Sequence, residues 1–141
     1  MDMKLGEGLK GLPGPILVTG HTGFKGSWLM MLLDHLRIPA VGFSLPAEPE
    51  SLYLRANLVG KNKEYFGDIR NLSEVEKVFQ MFAPSAVLHM AAQPLVLKSY
   101  ENPLETFETN IMGTANVLKS ALDSSGVKVI GVVTTDKVYR N

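Results

Sequence analysis

The fold of this chain is decided by residues 16–28, which read ILVTGHTGFKGSW. The first four residues are apolar or β-branched without polar alternation, which predicts a short strand buried on both faces. Three glycines follow at GxxGxxG spacing, and residues 27–37 then carry leucines at 29, 32, 33 and 36, the period of an amphipathic helix. A strand, a glycine turn and a helix in this order form the unit in which helix amides bind phosphate groups.

Strand and helix patterns continue to alternate after this unit. Further strands are predicted at 40–44, 64–67, 86–90 and 127–134, and a long helix at 103–122 with positions 107, 111, 115 and 118 buried. Alternation of this kind implies right-handed βαβ connections. We therefore predict an α/β fold, a Rossmann-type doubly wound parallel sheet of about five strands in the order 3-2-1-4-5. Residues 1–14, with four glycines and a proline, are expected to be a flexible leader, and residues 15–141 a dinucleotide-binding domain.

Composition excludes several classes of function. The chain has 141 residues, 45% of them hydrophobic, and its 14 basic residues balance 14 acidic ones, which argues against a nucleic-acid or anionic-membrane surface. The absence of cysteine excludes disulfides, thiolate zinc sites and a cysteine nucleophile, and the three histidines lack metal-ligand spacing. From these residue types we expect no metal site. The longest apolar run, residues 28–33, is far shorter than the ~18 residues of a membrane span. Residues 1–10 lack the apolar segment of a secretory signal, so we expect a cytoplasmic protein.

The glycine loop predicts a dinucleotide site. Glycines there permit a tight turn, a close backbone approach to a pyrophosphate, and close packing of helix on strand. A P-loop would need Gly-Lys-Ser at its end, whereas this chain has Lys25-Gly26-Ser27. A glycine turn without a ligand is the remaining alternative. The candidate cofactor-binding residues of the loop are Gly20, Thr22, Gly23, Phe24, Lys25 and Gly26.

The end of the second strand bears on the choice of cofactor. An acidic residue about 20 positions past the loop normally accepts the ribose hydroxyls of NAD. This chain offers Ser44, which can still bond a ribose hydroxyl, and Glu48 and Glu50 in the loop that follows. No arginine follows Ser44 to hold a 2′-phosphate, so NAD is favoured over NADP.

Five segments resemble the extended short-chain dehydrogenases, the NAD-dependent epimerase/dehydratase family. They are the glycine loop, Gly67-Asp68-Ile69-Arg70, His89-Met90-Ala91-Ala92-Gln93, Thr109-Asn110-Ile111-Met112-Gly113-Thr114 and Thr134-Thr135-Asp136-Lys137. Within that family, residues 21–28 and 91–96 most resemble the CDP-glucose 4,6-dehydratases. The resemblance implies that Phe24 and Lys25 lie at the pyrophosphate and that Asp68 and Ile69 bracket the adenine. It also implies that Met90, Ala91 and Ala92 line the dinucleotide and that Thr109 faces it.

Each of these residues also has a purely structural interpretation. Met90, Ala91 and Ala92 could be ordinary packing at the end of a strand, and Asp68 could be a turn residue before a helix. His89 is more often a core histidine than a ligand.

The resemblance assigns catalysis to Thr135, Asp136 and Lys137, after the fifth strand. In such dehydratases the sugar is oxidised at carbon 4, loses water across carbons 5 and 6, and is reduced at carbon 6, with NAD as the internal redox group. Thr135 would orient the 4-oxygen, and Asp136 would protonate the departing 6-hydroxyl. Lys137 stands where thymidine-linked relatives carry a glutamate base. It would therefore either act as a base in its neutral form, with a lowered pKa, or only position the substrate. A solvated Asp136–Lys137 pair is the structural alternative.

The family also uses a Tyr-x-x-x-Lys pair, and none of the four tyrosines of this chain is followed by such a lysine. We therefore expect the NAD-binding portion of a longer dehydratase, truncated before its last strands and its substrate domain. Alone it should not convert CDP-glucose to CDP-4-keto-6-deoxyglucose. The resemblance implies a homodimer for the full-length protein, paired partly through the long helix, but not for this chain by itself. The alternatives are a sugar-nucleotide epimerase or reductase of the same superfamily, or a non-catalytic dinucleotide-binding module.

Overall fold

A parallel sheet with helices on both faces forms the centre of the computed structural model, which describes residues 8–135. Its strands are β1 (Ile16–Thr19), β2 (Ala40–Ser44), β3 (Lys63–Phe66), β4 (Ala86–His89) and β5 (Val129–Val132). The helices are α1 (Phe24–His35), α2 (Leu52–Arg55), α3 (Leu72–Phe82), α4 (Val96–Glu101), α5 (Pro103–Phe107), a π-helical turn (Glu108–Gly113) and α6 (Thr114–Asp123). The strand order is β3-β2-β1-β4-β5, all pairs being parallel, which confirms the predicted topology.

Side chains of the central strand alternate between two apolar cores. Ile16 and Val18 of β1 pack with Met30 and Leu33 of α1 on one face of the sheet. Leu17 packs on the other face, in a core to which α3 and α6 contribute. All four residues of β1 are buried, as the unbroken apolar run predicts. The sheet is therefore doubly wound, and the carboxyl ends of its strands are where such a sheet places a site.

Helix α1 begins earlier than its leucine pattern predicts. It begins at Phe24 directly after the N-cap residue Gly23, whereas the pattern placed its start at residue 27. Its inward face is centred on Met30 and Leu33, and Leu32 is 45% exposed. The leucine period therefore located the helix but not the centre of its buried face.

The long helical segment corrects a second prediction. Phe107, Ile111 and Ala115, which were expected to be buried, are exposed, and the inward positions are instead Val117 and Ala121. Phe107, Ile111 and Ala115 are spaced at i, i+4 and i+8 and share one helix face, and that face is exposed to solvent. The buried residues Gly113, Val117 and Ala121 follow the same spacing on the opposite face, so the apolar pattern identified a helix face but not the buried one.

The two edges of the described sheet differ in character. The β3 edge reads Lys-Glu-Tyr-Phe and the β5 edge reads Val-Ile-Gly-Val, with Val129 and Val132 exposed.

Residues 8–14 of the expected leader contact the domain, since Leu9 and Leu12 pack against the α1-side core. No helix within residues 8–135 is long and apolar enough to cross a bilayer.

Candidate functional site

A cleft of about 580 Å³ opens at the carboxyl ends of the strands. Every residue that the sequence predicted to bind a cofactor lies along it: Gly20, Thr22, Gly23, Phe24, Lys25, Gly26, Ser44, Asp68, Ile69, Met90, Ala91, Ala92 and Thr109. These residues come from the loops after β1, β3 and β4, from the end of β2, from the first turn of α1 and from the π-helical turn. A crevice at this edge is where open α/β sheets bind their ligands.

The glycine loop is packed too closely for any side chain at two of its positions. Gly20 has φ +73°, and a Cβ there would lie 2.8 Å from the Cα atom and the nitrogen of Ala91. A Cβ on Gly26 would lie 2.1 Å from the Gly20 carbonyl oxygen and 2.7 Å from the His21 Cα atom. The two glycines therefore hold the loop against the end of β4 and hold α1 against the loop, as their spacing predicts.

The N-terminus of α1 has the electrostatic character of an anion site. The N-cap residue Gly23 provides no side-chain cap, and the first turn contains no acidic residue. Phe24 is 69% exposed, and Lys25 is also exposed beside the cleft. Amides at a helix start carry a partial positive charge, and here Lys25 adds a full one. The tight backbone of the glycine loop, together with these amides, fits a diphosphate, which approaches backbone amides closely.

A buried polar network lies directly beneath the glycine loop. His21 is 1% exposed; its Nδ1 atom lies 3.0 Å from the Ser44 hydroxyl and its Nε2 atom 3.2 Å from a Glu64 carboxylate oxygen. The same Glu64 oxygen accepts a hydrogen bond from the Tyr53 hydroxyl. Ser44 also lies 2.9 Å from the Thr22 hydroxyl. Ser44, expected to bind a ribose, thus lines the cleft while its hydroxyl bonds within the protein.

Burial shifts the pKa values of two groups in this network. Burial lowers the pKa of His21 below its ordinary 6.5, and the hydrogen bond and charge of Glu64 only partly oppose it. Burial, followed by the hydrogen bond and charge of Glu64, raises the pKa of Tyr53 well above its usual range. At neutral pH the network therefore contains a neutral His21 and a protonated Tyr53.

The free energy of unfolding should fall as the pH drops below about 6.5, because unfolded His21 takes up a proton that the buried ring resists. Its contribution is fully present above the unfolded pKa and is lost below it, by at most about 1.4 kcal/mol per pH unit. Urea denaturation at several pH values measures the slope. His21→Gln should reduce this slope without abolishing it, because buried His89, whose pKa is also lowered, contributes in the same sense, whereas Val78→Ala, in the apolar core, should lower stability equally at every pH. An unchanged slope in His21→Gln would contradict the assignment.

Arg70 is a cleft residue that the sequence reasoning missed. Its Nε and Nη2 atoms donate to one Asp68 carboxylate oxygen at 2.8 and 2.6 Å, and its Nη1 atom lies 3.8 Å from Glu108. Burial tends to raise the pKa of Asp68, but the hydrogen bonds and charge of Arg70 hold that pKa below its usual value. Arg70 reaches the cleft from the loop after β3, not from the residues that follow Ser44. The signal that could have found it is the Asp68-x-Arg70 spacing.

The loop after β4 is held at both ends by side chains. The Thr19 hydroxyl oxygen accepts from the amides of Met90 and Ala91 at 3.1 and 3.2 Å. At the other end the Asn110 side chain accepts from the Gln93 amide at 2.8 Å and donates to the Gln93 carbonyl at 3.1 Å. The sequence did not single out Gln93 as a site residue. Other lining residues that it missed are Leu45, Gly67, Pro94, Leu95, Lys98, Glu105, Val133 and Thr134.

The predicted catalytic segment is only partly within the described residues. Thr134 lines the cleft and Thr135 is exposed beside it, after the end of β5. Asp136 and Lys137 lie outside residues 8–135, so their roles stay predictions. Within the described range, no group of three or more histidine, aspartate or glutamate residues could hold a metal ion.

Comparison with known proteins places this arrangement in a family. Residues 16–141 match the NAD dependent epimerase/dehydratase family. The chain is 41% identical over 127 residues to the CDP-glucose 4,6-dehydratase of Salmonella typhimurium, covering 89% of this chain and 35% of that protein. The chain therefore spans about a third of that relative's length.

Solved structures agree with the fold. The Thermus thermophilus UDP-glucose 4-epimerase in complex with NAD is 30% identical, with a TM-score of 0.72 over 82% of this chain and 36% of the other. The UDP-glucose 4-epimerase of Stenotrophomonas maltophila with bound NAD and formylated UDP-arabinopyranose is 28% identical, with a TM-score of 0.77 over 91% of this chain and 39% of the other. With its sheet order, its glycine loop and these matches, the chain belongs to the NAD-dependent epimerase/dehydratase family.

Proposed function

We propose that residues 15–141 form the NAD-binding part of a nucleotide-sugar 4,6-dehydratase that acts on CDP-glucose. The observation that carries the proposal is the cleft above the glycine loop, where the tightly packed backbone at Gly20 and Gly26 meets the uncapped N-terminus of α1. The similarity to a CDP-glucose 4,6-dehydratase supports this substrate. When bound, NAD supplies the acceptor and donor of the hydride.

The cleft residues divide into three groups by what they would hold. The amides and the Lys25 side chain at the start of α1 would bind the pyrophosphate. Asp68 and Ile69 would flank the adenine, and the carboxylate of Asp68 is kept ionised by Arg70. Met90, Ala91, Ala92 and Thr109 would border the rest of the dinucleotide.

The catalytic proposal concerns the residues after β5. Thr135 would orient the 4-oxygen of the sugar, Asp136 would protonate the departing 6-hydroxyl, and Lys137 would act as base or position the substrate.

An epimerase on the same scaffold is the second candidate, because the solved neighbours described above are UDP-glucose 4-epimerases. Incubating the protein expressed from the complete reading frame with CDP-glucose or UDP-glucose separates the two. A dehydratase product is lighter by one water, whereas an epimerase product keeps the mass of its substrate.

The purified chain should bind NAD at least about tenfold more tightly than NADP. A 2′-phosphate needs a cation partner, but the Arg70 guanidinium in the cleft is already paired with Asp68, and Ser44 offers only a neutral hydroxyl. Calorimetric titration with both dinucleotides measures the ratio, and 2′,5′-ADP and 5′-AMP serve as matched controls for the 2′-phosphate alone. NADP binding as tight as NAD binding would contradict the selectivity. Binding of neither dinucleotide would contradict the proposed function.

A further inference from the structure

A buried chain of hydrogen bonds begins at His89, which the proposed function leaves unused. His89 is 2% exposed at the end of β4, and its Nδ1 atom lies 2.6 Å from the Thr19 hydroxyl oxygen. That hydroxyl oxygen already accepts from the amides of Met90 and Ala91. A hydroxyl has two lone pairs and one proton, so the Thr19 proton must be donated to Nδ1 of His89.

The direction of this first bond fixes the directions of the next two. With Nδ1 as acceptor, the neutral ring carries its proton on Nε2, which lies 2.9 Å from the Thr114 hydroxyl oxygen. Thr114 in turn donates to the carbonyl oxygen of Asn110 at 2.8 Å. Asn110 lies in the π-helical turn, and its side chain holds the amide and carbonyl of Gln93. The directed chain therefore runs from Thr19 to the Asn110 backbone carbonyl, and the side chain of the same asparagine holds the other end of the loop at residues 90–93.

The position of this loop determines the fit of the glycine loop. The Ala91 backbone lies within 2.8 Å of the point where a Cβ on Gly20 would stand, so the two backbones are in close contact. The Met90 amide is also shared with the Thr19 carbonyl at 3.2 Å. A change in the acceptor direction of the Thr19 hydroxyl would loosen Met90 and Ala91 and, through Ala91, the backbone of Gly20.

We propose that His89, as the neutral Nε2–H tautomer, is a positioning residue that fixes the Met90 and Ala91 backbone in the wall of the cleft. It acts through Thr19 and Thr114 and does not itself touch the cofactor. Burial, the one cause that shifts its pKa, lowers that pKa and thereby maintains the neutral form. The consequence for NAD affinity rests on the proposed function, whereas the consequence for the backbone does not.

Two variants of the 141-residue chain test the proposal. His89→Gln keeps one acceptor and one donor at about the spacing of the ring nitrogens, and His89→Leu removes both. Val117→Ala is the control, since Val117 is buried in α6 away from the cleft and its truncation costs stability without touching this chain of bonds. Nitrogen-15 shifts of the histidine ring report the tautomer, amide hydrogen exchange reports Met90 and Ala91, and calorimetry reports NAD affinity.

We expect the Nε2–H tautomer in the unmodified chain. In His89→Leu, protection of the Met90 and Ala91 amides should fall about tenfold relative to β1 amides, the factor of one ordinary hydrogen bond, and NAD affinity should fall by a similar factor. His89→Gln should restore most of both, and Val117→Ala should change neither ratio.

An Nδ1–H tautomer, or unchanged Met90 and Ala91 protection in His89→Leu, would overturn the proposal. If the unmodified chain fails to bind NAD, the proposed function fails, while the tautomer and the exchange data still decide the role of His89. If protection falls but NAD affinity does not, the link from the wall to the cofactor is wrong.

Discussion

Replacing Gly26 with alanine should reduce NAD affinity by at least about a hundredfold, a loss of roughly 3 kcal/mol. The new Cβ would stand 2.1 Å from the Gly20 carbonyl oxygen and 2.7 Å from the His21 Cα atom, both of them backbone atoms. The loop cannot yield easily, because the Gly20 amide donates to the Phe43 carbonyl of β2 at 2.8 Å. Helix α1 must therefore move away from the loop, and its N-terminal amides would no longer converge on the pyrophosphate.

Calorimetric titration of Gly26→Ala with NAD measures this loss, and circular dichroism checks that the fold is retained. Gly126→Ala is the matched control, because its Cβ would meet only the Pro84 carbonyl at 3.6 Å, an ordinary contact outside the cleft. That control should bind NAD as the unmodified chain does. Binding by Gly26→Ala within about threefold of the unmodified chain would show that α1 does not need this contact.

Replacing Glu64 with leucine should lower the free energy of unfolding by about 3 kcal/mol. The Glu64 carboxylate accepts from the His21 ring and the Tyr53 hydroxyl, and also from the Gly60 amide at 3.0 Å. Leucine fills a similar volume but accepts no hydrogen bond. The buried His21 and Tyr53 donors would then lack a partner, and a buried unsatisfied donor costs more than the bond itself contributes.

Urea denaturation of Glu64→Leu measures the loss, with Glu50→Leu as the control at an exposed glutamate of the β2–α2 loop. The control should change stability by no more than about 0.5 kcal/mol. Tyr53→Phe removes the hydroxyl donor, so that no unsatisfied donor remains at residue 53. It should therefore lower the free energy of unfolding by only about 1 kcal/mol. A cost below about 1 kcal/mol for Glu64→Leu would mean that water or another group satisfies His21 and Tyr53.

The sequence predicted the sheet and the line of the cleft because both depend on local patterns. Unbroken apolar runs such as residues 16–19 indicate buried strands, and the glycine spacing indicates close backbone approaches. Parallel topology then brings the ends of β1, β2, β3 and β4 to one edge, so the candidate residues meet.

The features that the sequence did not reveal depend on contacts between distant segments. His21 and Glu64 are 43 positions apart, and the pattern around neither residue indicates that they pair. The π-helical turn places Gly113 so close to Ile69 that a Cβ would lie 2.5 Å from the Ile69 Cδ1 atom. This contact belongs to the packing of the long segment on the loop after β3, so a helical period read along the chain could not anticipate it.

The two edges of the described sheet differ in how readily they would pair with a further strand. An added strand on the β3 side would have to lie against Lys63 and Glu64, charges of the kind that discourage edge-to-edge pairing. The β5 side of the described sheet presents valine and isoleucine with backbone groups ready to pair. Any extended segment that joins this sheet, from the same polypeptide or from a neighbouring molecule, should therefore be added beyond β5.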